Sequence, residues 1–350
     1  MIAITSERPL ISFCLFAYNQ ERFIREAVEG AFAQTYSPLE IILSDDCSPD
    51  HTYEIMQEMA AAYRGPHKLI LNRNSRNLGL GGHVNRVMEL SAGPLVVGAA
   101  GDDVSHPERA GCLCEEWLRQ DPMPTSLHSD FELMDAQGTC ISTNRAGSRF
   151  AGRRSAGMKE IREFLRDKHP ASGIAGCAHA WSRLLFQRFG PLNSDLIAED
   201  KALAFRSFLC GSFAYVPRRL LRYRMHASNL WGRRADLQDS RITRVRQNLA
   251  QAAFGSRLWI SVLNNYNADV RTLVNQSSLS QAGGVAITRE IDRCLKVKTC
   301  EYQACSGPPW VAFRSLLRRF VLMPECRYAR VALKHWLFRT TDYFGLLPKH

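Results

Sequence analysis

No stretch of this 350-residue sequence approaches the roughly 20 consecutive apolar residues needed to cross a bilayer. Glu7 and Arg8 stand just ahead of a strand pattern, where a signal peptide would place its apolar core, so the expected location is cytoplasmic. There is no GxGxxG after the first strand pattern and no GxxxxGK[ST], which excludes the dinucleotide fingerprint and the P-loop. The eleven cysteines contain no CxxC pair. Cys112 with Cys114, and Cys294, Cys300 and Cys305, lack zinc-ligand spacing and flanking histidines, which leaves reduced thiols that mostly fill the core. Internal repeats and low-complexity tracts are absent as well.

What is present is a globular composition, 45% hydrophobic, with its charge unevenly spread. Residues 1–230 hold 26 Lys and Arg against 26 Asp and Glu, which leaves 19 basic and 8 acidic residues for 231–350. The whole net charge of +11 therefore sits in the C-terminal part. A domain boundary near 230 follows, because "RYRMHASNLWGRRADLQDSR" also changes the pattern from mixed strand and helix to arginine-rich helix. Before it, "PLISFCLFAY", "LEIILS", "HKLILN" and "PLVVGAA" read as strands, the first of them buried. The amphipathic runs "QERFIREAVEGAFAQ", "HTYEIMQEMAAAY" and "GGHVNRVMELS" alternate with them. Strict alternation predicts an α/β fold, a mostly parallel, doubly wound, Rossmann-like sheet flanked by helices.

Ligands of such sheets bind beyond the carboxyl ends of the strands, and each strand here ends in polar residues. These are Tyr18 and Asn19, Asp45 and Asp46, Arg73 and Asn74, then Asp102 and Asp103. An adjacent carboxylate pair on a rim is costly unless a cation joins it, and carboxylate oxygens suit Mg²⁺ or Mn²⁺.

Taken together, these residues resemble the inverting family-2 glycosyltransferases of GT-A fold. "ISFCLFAYNQERFIREAVEGAFAQTYSPLEIILSDDCSPDHT" is similar to that family's opening strand, helix and Val-Asp-Asp-Gly-Ser-like turn, with Cys47 where glycine is usual. "NLGLGGHVN" resembles its Asn-x-Gly segment and "GDDVSHPER" its DxD region. "FGPLNSDLIAEDKALAFRS" and "RYRMH" resemble its carboxylate helix and closing histidine. The likeness covers residues 9–229. Ala100 and Gly101 replace the first two places of an Asp-x-Asp-Asp motif, which shortens it to Asp102 and Asp103.

The resemblance implies a GT-A domain over 1–230 followed by a basic, mainly helical region over 231–350. It implies a metal-dependent, hexosyltransferase-type enzyme that moves a sugar from a nucleotide-sugar, a UDP-sugar by preference, to a hydroxyl of a sugar or lipid-linked acceptor. Surface polysaccharide or glycolipid assembly is the expected setting. Asp102, Asp103 and His226 become the expected metal ligands; against that, Asp102 could instead cap the helix near Pro107. Asp200 is the expected catalytic base, with Glu199 beside it orienting acceptor or loop, although acidic residues also favour helix N-termini for their dipole. Phe16, Tyr18, Asn19, Asp45, Asp46, Asn77, Gly79 and Asp102 are expected to meet the nucleotide-sugar. "DDCSPD" is equally a good Asx turn, and Arg73 or Arg76 is a candidate phosphate partner. A non-catalytic nucleotide-sugar binder with a degenerate DxD motif is the alternative.

The segment 307–350 mixes arginines with large apolar residues, as an interfacial helix pair would, so peripheral contact with the inner face of a membrane is expected there. A basic helix packed on the catalytic domain fits the same pattern. No base-reading motif or aromatic platform points to nucleic acid.

Overall fold

The computed structural model describes residues 8–144, 161, 164, 165, 176–227, 229, 241–306, 311, 314 and 315. The chain divides into two compact units, Met1–Arg233 and Arg234–His350.

The first unit opens with β1 (Ile11–Ala17), α1 (Ile24–Phe32), β2 (Leu39–Asp45), α2 (Thr52–Ala62), β3 (Lys68–Arg73), α3 (Gly79–Leu90) and β4 (Leu95–Ala100). β1, β2 and β4 are continuous apolar runs because helices cover both faces of a parallel sheet. α1 turns Ile24, Ala27, Val28 and Ala31 inward at helical spacing. Ile11 pairs in parallel with Leu39 on one side and Leu95 on the other, so the chain winds outward from β1 to β3 and then restarts at β4. The reversal lies between β1 and β4, and the crevice beyond their carboxyl ends is where such sheets bind ligands.

The second half is mixed. It comprises β5 (Val104–Ser105), α4 (Arg109–Arg119), β6 (Ser126–Met134), β7 (Cys140–Asn144), β8 (His179–Ser182), α5 (Leu184–Phe189), α6 (Glu199–Cys210) and β9 (Phe213–Arg224). β8 runs antiparallel between β4 and β6, while β9 lies parallel to β6 and antiparallel to β5. The sheet order is β3-β2-β1-β4-β8-β6-β9-β5, with β7 paired to β6. Buried Arg109 ties this half to the first: its Nη2 donates to Gly98 O (2.5 Å) and Cys177 O (2.7 Å), and its Nη1 to Ser105 Oγ (2.9 Å). The short 3₁₀ turn Gly176–Ala178 is thereby pinned against the end of β4.

In the second unit, α7 (Arg241–Asn275) and α8 (Gln281–Ser306) form a helical hairpin. Leu258, Val262, Tyr266, Val270 and Leu273 of α7 are buried, as are Ile287, Ile291 and Val297 of α8. Among the described residues, no helix is long and apolar enough to cross a membrane. Apart from residues 311, 314 and 315, the expected membrane-contact segment 307–350 lies outside the described residues.

Candidate functional site

One wall of the crevice is made by the ends of β1 and β2. Asp45 shapes the turn that follows: Oδ2 accepts from Ser48 N (2.9 Å) and Oδ1 from the Ser48 hydroxyl. Arg73, a candidate for phosphate, is engaged within this wall instead. It pairs with Glu54 at 3.2 Å, donates to Ser48 O at 3.2 Å, lies 3.7 Å from Asp45 and covers the Tyr53 ring. Asp46 is buried, and its Oδ1 accepts from Asn74 Nδ2 (2.7 Å) and Leu78 N (2.9 Å). Asn77 caps the start of α3 by accepting from Gly79 N at 2.9 Å, and Gly79 takes φ +69°, open to glycine at no steric cost. Phe16 meets the His83 ring edge-on at 5.2 Å, and His83 shares a 2.8 Å hydrogen bond with Ser44. Burial holds His83 below the ordinary imidazole range, hence neutral. Tyr18 is 46% exposed at the lip, and Asn19, at φ +56°, donates its N–H to Ser48 Oγ (2.9 Å).

The second wall holds the carboxylate pair, and its two members face different surroundings. Asp102 Oδ2 lies 3.0 Å from His226 Nε2, so Asp102 meets the histidine rather than capping α4, whose first turn has no side-chain cap. Asp103 is buried: Oδ1 accepts from Arg224 N (2.9 Å), and Oδ2 has no hydrogen-bond partner. Burial, with Asp102 beside it, pushes the Asp103 carboxyl well above the usual range. Buried Arg224 backs both, donating from Nε to Asp102 O (2.9 Å) and pairing with Glu26 at 2.8 Å. The Phe23 ring contacts both His226, at 4.6 Å between centroids, and the Arg224 guanidinium, at 4.9 Å.

The third component is the first turn of α6, which begins at Glu199 and Asp200. Desolvation and the neighbouring Asp200 charge raise the Glu199 carboxyl to about 8, so it keeps its proton at neutral pH. Asp200 Oδ1 accepts from Lys201 N (2.8 Å), and Oδ2 lies 3.6 Å from Lys201 Nζ. Gly176 faces both: a Cβ there would stand 2.6 Å from Glu199 Oε1 and 3.6 Å from the Asp200 Cβ. The Cys177 thiol, raised first by desolvation, also feels Asp103, Asp102 and Asp200. The Gly176–Ala178 turn thus links the first turn of α6, through Arg109, to the end of β4 just ahead of Asp102.

Among the described residues, no group of three or more His, Cys, Asp or Glu side chains is arranged to hold a metal. Asp102 and His226 offer two donors of the right kind. They lie 3.0 Å apart as a hydrogen-bonded pair, a carboxylate oxygen and an imidazole nitrogen. Arg224, Cys177, Arg109 and His83 were not singled out as site residues from the sequence. For Arg224 the sequence does carry a signal, since "YRMH" places it two residues before His226.

Residues 12–125 match the model of glycosyl transferase family 2. The match covers 114 of the 350 residues, and over this segment the chain is similar to that family. Its relatives include the putative glycosyltransferase EpsE of Bacillus subtilis, 35% identical over 101 residues (29% of this chain, 36% of EpsE). An uncharacterised glycosyltransferase of Rickettsia prowazekii is 25% identical over 221 residues (63% of this chain, 65% of the relative). Chondroitin synthase of Escherichia coli is 31% identical over 134 residues, 38% of this chain and 19% of the synthase. The chain thus spans less than two thirds of the length of each of these relatives. The S. aureus TarS 1–349 structure in complex with UDP-GlcNAc covers 96% of this chain and 92% of its own at TM-score 0.52 and 14% identity. At that identity the likeness concerns the fold, which is an α/β GT-A fold.

Proposed function

We propose that this protein is an inverting glycosyltransferase that takes a sugar from a nucleotide-sugar to an acceptor hydroxyl. The observation that supports the reading is that the Gly176–Ala178 turn lies against Glu199 and Asp200 at one end and, through Arg109, against the end of β4 that leads into Asp102. Asp46 and Tyr18 border the nucleotide end, and a UDP-sugar is the preferred donor on their account. Asp102 and His226 would hold a divalent cation, Mn²⁺ or Mg²⁺, which when bound neutralises charge developing on the departing diphosphate. Asp103, its own carboxyl withdrawn from water, fixes the loop from behind through Arg224.

Asp200 accepts the proton of the acceptor hydroxyl as that oxygen attacks the anomeric carbon and the bond to the diphosphate breaks. Burial and the neighbouring Asp200 charge favour the protonated form of Glu199, so Asp200 takes the role of base and Glu199 orients the turn. The acceptor is a sugar or lipid-linked hydroxyl, and the partial similarity to a polysaccharide synthase supports a place in polysaccharide assembly.

The test starts from a thermal-shift panel of nucleotide-sugars with and without Mn²⁺, followed by turnover on the donor that binds. Asp200→Asn should retain donor binding and lose roughly 10²- to 10⁴-fold in transfer, the usual worth of general-base catalysis. Glu199→Gln should keep most of its activity. A collapse in Glu199→Gln with near-parental Asp200→Asn would move the base by one residue, and parental rates in both would refute the mechanism. Asp102→Ala should weaken Mn²⁺-dependent binding of nucleoside diphosphate while the protein stays folded.

A further inference from the structure

The hairpin of the second unit carries a groove of about 680 Å³ that the proposed transfer reaction does not use. Its α8 wall is one helical stripe: Gly284, Val285, Thr288, Arg289, Asp292, Arg293 and Lys296 follow each other at alternating spacings of one and three or four. From Gly284 to Lys296 the stripe runs about 18 Å at 1.5 Å per residue. Val270, Arg271, Val274 and Asn275 of α7 form the facing wall.

Polarity changes along this groove. Toward the hairpin turn Gly284 packs directly on Val274 and Val285 is 53% exposed, with Arg271, Asn275 and Gln281 beside them. Farther along α8 come Arg289, Arg293 and Lys296, so four cations and one carboxylate line the groove. That carboxylate, Asp292, accepts a 3.0 Å hydrogen bond from Asn267, and none of the four cations forms an ion pair among the described residues. An occupant that satisfies both ends carries an anionic group joined to an apolar chain. Segment 316–350 suits the cationic end poorly, since its only acidic residues are Glu325 and Asp342.

We propose that this groove binds the phosphate headgroup of an anionic lipid, with the start of the lipid's apolar chain over Val274 and Val285. The binding stands independently of sugar transfer. A membrane-surface cation contributes about 1 kcal/mol at an anionic bilayer, so removing two should weaken binding about 30-fold.

The experiment is sedimentation of the full chain with vesicles of phosphatidylcholine alone or mixed equally with phosphatidylglycerol. Arg289→Gln/Arg293→Gln is compared with Arg257→Gln/Lys298→Gln, which removes the same charge outside the groove. Expected are a preference for the anionic vesicles, a loss of about 30-fold in the groove variant and less than about threefold in the other. Val285→Asp should also weaken binding, and excess inorganic phosphate at constant ionic strength should not compete. Equal losses in the two charge variants would overturn the proposal, because any basic surface would then suffice. Indifference to phosphatidylglycerol, or full competition by free phosphate, would overturn it too. Unchanged helical circular dichroism and melting in the groove variant ties the loss to the groove; if Arg289→Gln/Arg293→Gln unfolds, Lys296→Gln with Val285→Asp replaces it under the same criteria.

Discussion

At position 47 a single side chain stands in a backbone conformation that suits another. Cys47 takes φ +61°, the left-handed region, in the tight turn after β2. A β-carbon there costs about 1–2 kcal/mol, part of which glycine would give back through its greater freedom in the unfolded chain. Cys47→Gly should therefore stabilise the protein by up to about 1 kcal/mol, read as a higher urea midpoint at unchanged slope. A lower midpoint would mean that contacts of the thiol outweigh the backbone cost. Gly176 shows the opposite dependence, because its missing side chain leaves room for Glu199 Oε1. Gly176→Ala meets only the mobile end of a side chain, so melting should hardly change. The displaced carboxyl should lower turnover by roughly ten- to a hundredfold, as misplacement in an active site does; parental turnover would show that the turn tolerates the shift.

At the scale of elements, the seven alternating strands and helices up to Ala100 were legible because strands buried on both faces leave unbroken apolar runs. The mixed half was less so. β5 has two residues, and β9 carries Arg218, Arg219 and Arg222 on a strand that alternates between core and surface, with register shifts opposite Asp130. Pairing across such a sheet is set by contacts far apart in sequence, which no local period announces. The positions of Asp102, Asp200 and His226 were visible as motifs, yet their surroundings were not. Glu26 meets Arg224 from 198 residues away, and Arg73, apt for phosphate on paper, is drawn to Glu54 by the proximity of α2 to β3. Asp45 illustrates a local reading that the geometry does display, since its bonds to Ser48 are those of an Asx turn.

For the whole molecule, stability should fall in acid for a reason unconnected with the cleft. His128 and His179 are cross-strand partners in the core of the mixed half, and burial lowers them to about 4 and about 3. In the unfolded chain both titrate near 6.5. Below that pH the unfolded state takes up protons that the folded state refuses. Stability present above pH 6.5 is therefore lost progressively as pH falls toward the folded values, at about 1.4 kcal/mol per pH unit for each ring. Among the described residues neither ring nitrogen of His128 has a hydrogen-bond partner, so an apolar ring can replace it at little cost. His128→Phe should flatten the dependence of the melting temperature on pH between 6.5 and about 4. An unchanged slope would place the acid sensitivity elsewhere.

The separation of 124 residues between Asp102 and His226 also orders events in time. β1, β2 and β3 pair across 28 residues each and β4 reaches β1 across 84, whereas β9 closes 87 residues to reach β6 and 118 to reach β5, and long loops cost entropy before any contact rewards them. A ribosome delivers the chain from its N-terminus, so the half-sheet with Asp46 can assemble while β9 is still unmade. The nascent protein would acquire the wall that holds Asp46 first, and its capacity to pair Asp102 with His226 only when β9 has emerged and docked.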